Sequence, residues 1–149
     1  MSERDSPGDQ GVSAHPDEEA TVRAFFAKDL RRRILDSLDV PRRREREWER
    51  LWKYDQSAFR YATPVPGRAR FPDTIYGVLK AKGASDTCYV MGNTPFDQQT
   101  LDLKTVLEEH LDAPWDTIIS CIAGRLAYLH THESYRDDYL LEKPAVVSP

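Results

Sequence analysis

Glycine is scarce in this chain. Only seven of its 149 residues are Gly, and they are scattered. There is no GxxxxGKS/T loop and no GxGxxG run after a strand, so nothing predicts a glycine-rich cradle for phosphate groups. HExxH and GxSxG are missing too, which removes the zinc-protease and serine-hydrolase signatures. Cysteine is scarcer still. Cys88 and Cys121 fit neither a zinc motif nor a CxxC redox motif, and both sit in apolar surroundings. They read as buried free thiols in a reducing compartment. No apolar run approaches the ~20 residues needed to span a bilayer, so no membrane partner is expected. The first residues show neither an apolar signal core nor the acid-poor, Arg-rich character of a transit peptide, which predicts a cytoplasmic protein. No cofactor is implied.

What is present is charge, unevenly spread. Residues 1–21 carry one Arg against six acidic residues. Residues 22–61 carry twelve Lys and Arg against seven acids, and residues 62–149 carry eight against twelve. The net charge is -4, so the middle third is a basic block inside an acidic chain. Whole-chain attraction to nucleic acid is therefore not expected. Residues 1–16 hold almost nothing to bury and predict a disordered tail. Residues 17–143 read as one domain, and 144–149 as a loose end.

Val22, Phe26, Leu30, Ile34 and Leu38 recur every four residues and predict one helix over 17–38. Pro41 suits the first position of a second helix reaching about 54. There Trp48, Leu51 and Trp52 cluster on one side, and Arg42, Arg43, Arg46, Arg50 and Lys53 on the other. Glu45, Glu47 and Glu49 flank the basic stripe. A short helix near 74–82 stops at Gly83, and another covers about 102–111. Strands are expected near 87–91, 116–123, 126–132 and 138–142, with a type II′ turn at Gly124-Arg125. Alternation sends Ile119, Cys121, Leu126, Tyr128, His130 and His132 to one sheet face. Both faces are apolar near the turn, so both are expected to be covered. The fold class is α+β, with a small, mostly antiparallel sheet and helices packed on it.

Three surfaces could carry function. The basic face of the second helix could bind another protein, with Trp48, Trp52, Tyr54, Phe59 and Tyr61 adding contact surface where they are exposed, or could neutralise phosphates of a nucleic acid, although its glutamates oppose phosphate. His130 and His132, in an HxH pair on a strand, could ligate a metal with Glu133, Asp137 or Asp138. Cys121 could act as a nucleophile if His130 lies beside it. The reading that follows is a small non-enzymatic protein acting through protein–protein interaction, as an adaptor, regulator or immunity-type binder. A nucleic-acid module using residues 42–54 is the alternative, and a metal- or thiol-dependent enzyme comes third.

Overall fold

A computed structural model describes residues 15–132 and 137–144. Most of the expected N-terminal tail, residues 145–149 and Glu133 lie outside the described residues. Five α-helices and a six-stranded sheet are formed among those described. The helices are α1 (Pro16–Phe25), α2 (Lys28–Leu38), α3 (Pro41–Glu49), α4 (Pro72–Ala81) and α5 (Leu103–His110). The strands are β1 (Ala62–Val65), β2 (Thr87–Asn93), β3 (Gln99–Asp102), β4 (Asp116–Ile122), β5 (Leu126–His130) and β6 (Asp138–Glu142). The order across the sheet is β1-β6-β5-β4-β2-β3, and each neighbouring pair is antiparallel. The α+β class is as expected. None of the described helices is long and apolar enough to cross a membrane.

The sheet is the middle of three layers. Tyr89, Met91, Ile118, Ala127, Leu129 and Leu141 face α1–α3 and meet Val22, Phe25, Ile34 and Trp48. Cys88, Val90, Ile119, Leu126 and Tyr128 face α4 and α5 and meet Ile75, Leu79, Val106 and Leu107. Every residue of β5 is buried, because both of its faces are covered. The double apolar character of the central hairpin is thus explained by two helical layers.

Four expectations need correction. The helix over 17–38 is two helices. Phe26 leaves helical geometry and forms an antiparallel bridge with Phe59, while Ala27 N–H donates to the Ala58 carbonyl and Arg60 N–H to that of Phe25. Phe25 and Phe26 are both fully buried. Adjacent helical side chains point about 100° apart, so the break lets both rings enter the core. The second helix is shorter than expected: it ends at Glu49, and Leu51–Lys53 form a 3-10 turn. The central hairpin does not use a type II′ turn. Arg125 N–H donates to the Ile122 carbonyl, and Gly124 occupies the third turn position with φ +71°. Finally, β1 and β3 were not delimited from sequence. Both are short edge strands, β1 carrying Pro64 and β3 being polar. Gly83 does end α4 as expected: its φ is +103°, and Ala84 N–H reaches the Leu79 carbonyl, as in a Schellman cap.

Candidate functional site

Helix α3 has two faces with different work. Pro41 starts it, since a missing N–H costs nothing there. Its inner face inserts Trp48, only 2% exposed, into the core against α2 and the sheet. Beside Trp48, Arg44 is also buried. Its Nη1 and Nη2 donate to Glu18 Oε1 and Oε2 at 2.8 and 2.5 Å. Nε and Nη2 donate to the two oxygens of Asp97, each at 2.8 Å. Glu18 is fully buried and also accepts from the Tyr89 hydroxyl at 2.7 Å. Asp97 accepts from Gly92 N–H at 3.0 Å. One guanidinium therefore ties α1, α3 and the β2–β3 connection together. Burial opposes its charge, yet the hydrogen bonds it donates to Asp97 and Glu18, with the charges of those carboxylates, outweigh burial and raise its pKa.

Glu47 is turned inward as well. Arg33 donates to both of its oxygens, and the Tyr54 hydroxyl donates to Oε2 at 2.6 Å. This corrects the expected flank of three glutamates: only Glu45 and Glu49 remain exposed beside the basic stripe.

The outer face carries what the sequence placed there. Arg42, Arg43, Arg46, Arg50 and Lys53 are all exposed. None of the four arginines makes a side-chain hydrogen bond or ion pair among the described residues. At 100° per residue they fall within an arc of about 100° and extend over ~12 Å of helix. Lys53 follows in the next turn, with its Nζ over the Trp52 ring. At the N-terminal end of α3 the basic face runs into a cleft of about 630 Å3. Leu38, Arg42, Glu45, Trp48, Asn93 and Asp97 are among its lining residues. The buried indole Nε1 of Trp48 has no acceptor among the described residues.

The histidines are placed differently from the expectation. His130 is buried at the end of β5, with Nδ1 3.0 Å from Asp138 Oδ2 and Nε2 3.3 Å from the Ala113 carbonyl. His132 lies beyond β5, with Nδ1 2.8 Å from Asp116 Oδ1 and its ring edge-on to Trp52. Both His130 nitrogens and one of His132 are thus committed to protein oxygens. Asp138 is itself occupied by Arg70, Tyr128 and the Thr131 N–H. No group of three or more His, Cys, Asp or Glu able to hold a metal is formed among the described residues. The HxH pair does not converge on one point, because the strand ends between its members.

Cys121 also lacks the neighbour it would need. The register sets His130 opposite Thr117, at the far end of the hairpin from Cys121. Burial, then nearby Asp102 and Asp17, pushes the Cys88 thiol up to about 12. Burial, then Cys88 and Asp17, likewise raises Cys121. A thiol held in its protonated form is a poor nucleophile at neutral pH.

These shifts carry a consequence for alkaline stability. Tyr54, Tyr89 and Tyr128 lie above the ordinary phenol value, in each case through burial first and then a carboxylate neighbour. For each of these acids the fold favours the neutral form. Their contribution is complete below the unfolded values of 9.0 for thiol and 10.0 for phenol, and is lost as pH rises through the higher folded values. The melting temperature should therefore fall progressively from about pH 9 upward, with three phenols ionising only on unfolding. Melts monitored at 295 nm test this; a flat profile to pH 11 would contradict it.

No protein-family model, no curated protein and no solved structure matches this chain.

Proposed function

We propose that this protein is a non-enzymatic, cytoplasmic binding module that docks an acidic protein partner on the outer face of α3. The observation that carries the reading is the division of that helix. Arg44 and Glu47 are consumed inside, while Arg42, Arg43, Arg46, Arg50 and Lys53 face solvent with no competing internal role. Arg is a frequent interface anchor because its planar fork matches carboxylates. The cleft beside Trp48 adds a recess for one partner side chain at the end of the charged stripe. Glu45 and Glu49 on the margin suit a partner of mixed charge better than a uniform polyanion, and they set register by repelling misplaced carboxylates.

Affinity capture from the native source with wild type and the R43E/R46E/R50E variant tests the reading. Wild type should recover a reproducible partner, and the variant should lose it while melting at the same temperature. Recovery of no partner, or equal recovery by both, would sink the proposal. A second reading, a nucleic-acid module using the same arginines, gains from the withdrawal of Glu47, which removes one repulsive carboxylate. It predicts binding of a labelled duplex at low salt, falling steeply as salt rises. Fluorescence anisotropy separates the two; absence of binding at micromolar protein ends the second reading.

A further inference from the structure

The two cysteines are far apart in sequence and meet in the sheet. β2 pairs with β4 so that Tyr89 faces Ser120 and Val90 faces Ile119. The same register carried one step further sets Cys88 against Cys121. Both strands include these residues, and both thiols belong to the core on the α4–α5 side. Cys88 contributes to the upward shift of the Cys121 thiol, as a near neighbour would. Cys121 is also the residue skipped where the β4–β5 register shifts, with Ser120 facing Ala127 and Ile122 facing Leu126. A bulged residue is freed from the ladder on that side and adjusts more easily than its neighbours. As whole residues Cys88 is buried and Cys121 half-buried.

We infer that Cys88 and Cys121 are a cross-strand dithiol that closes reversibly into a disulfide joining β2 to β4. Directly opposed residues of antiparallel strands hold their Cβ atoms about 4.5–5.5 Å apart. A relaxed disulfide has them about 3.8 Å apart. The bridge therefore forms under strain, and strained disulfides are the readily reduced, labile class rather than permanent staples. The oxidant is a small-molecule disulfide such as oxidised glutathione. The Cys121 thiolate attacks one of its sulfurs and expels a glutathione thiolate, giving a mixed disulfide. Cys88 then loses its proton and attacks Cys121 Sγ, forming the Sγ–Sγ bond and expelling the second glutathione. Two protein thiols are oxidised by two electrons, and the reagent is reduced to two thiols that carry the two protons. Both thiols are held protonated, so the reaction is slow at neutral pH and accelerates as pH rises.

The test exposes the folded full chain to oxidised glutathione and counts thiols after denaturation. The expected product is a monomer with no titratable thiol, lighter by two hydrogens, with Cys88 and Cys121 in one cross-linked peptide. Excess reduced glutathione should restore both thiols. The C88S variant should instead stop at a stable glutathione adduct on Cys121. Three results would overturn the inference: two thiols remaining after prolonged exposure, a stable adduct on Cys121 in wild type, or a dimer linked through Cys121. The wild-type peptide map carries the decision even where the serine variant folds poorly.

Discussion

Replacing Arg44 with methionine should destabilise the protein by about 3–5 kcal/mol, because it leaves a fully buried Glu18 without its counter-charge. For a chain of this size that is roughly a 10 °C fall in melting temperature. The magnitude comes from the stranded partner rather than from the value of the ion pair. Glu18 would keep only the Tyr89 hydroxyl among its present side-chain donors, and Asp97 would keep Gly92 N–H. The double variant E18L/R44M removes the stranded charge as well, and should recover most of the loss. R44K should fall between wild type and R44M, since an ammonium cannot supply the four hydrogen bonds of the fork. Urea unfolding of the four proteins checks the series. Near-equal stability of wild type and R44M would show that the cluster is not a structural tie.

The second large effect is expected at Gly92. It pairs with Thr117 of β4 near the end of β2, with φ +140°. A Cβ placed there would lie 2.4 Å from the Asp116 carbonyl oxygen and 3.0 Å from Thr117 Cα. Both are backbone atoms of the neighbouring strand, so no side-chain rotation relieves the clash. Gly92→Ala should cost about 3 kcal/mol or more, through strain at a glycine-only conformation and separation of β2 from β4. It should also weaken the seat of Asp97, which Gly92 N–H holds, and hence the Arg44 tie. By contrast Gly77→Ala, on the outside of α4 with open space around it, should be neutral or stabilising. Chemical denaturation of both variants checks the contrast. A loss below about 1 kcal/mol at Gly92 would mean that the strands separate without cost.

The sequence carried much of this architecture in its periodicities. The helices from Pro41, near 74–82 and near 102–111 were legible because apolar spacing and local stop signals agreed. The central hairpin was legible because β5 is apolar on alternate and intervening positions alike, as burial on both faces demands. What was missed depended on contacts between distant segments. The break after Phe25 is made by a bridge to Phe59, which local spacing does not encode. Strands β1 and β3 lie on the sheet edges, where one side needs no partner and alternation fades.

The buried charges were the main miss, though a signal existed. Glu18 lies four residues before Val22 and so falls on the apolar stripe of α1. Arg44 lies between Trp48 and Leu51 in angular position and so falls on the inner face of α3. Two opposite charges on two facing apolar stripes are the mark of a buried pair. The outer arginines were assigned correctly to solvent by the same wheel. His130 and His132 misled because residue spacing alone cannot tell that a strand ends between them.

The division of α3 into an inner tie and an outer docking face is tested most directly by calorimetric titration of the captured partner into wild type and R43E/R46E/R50E. The account predicts that affinity falls by about tenfold or more, that the wild-type affinity weakens with added salt, and that the variant's melting temperature is unchanged. Equal affinity of the two proteins for the partner would contradict it.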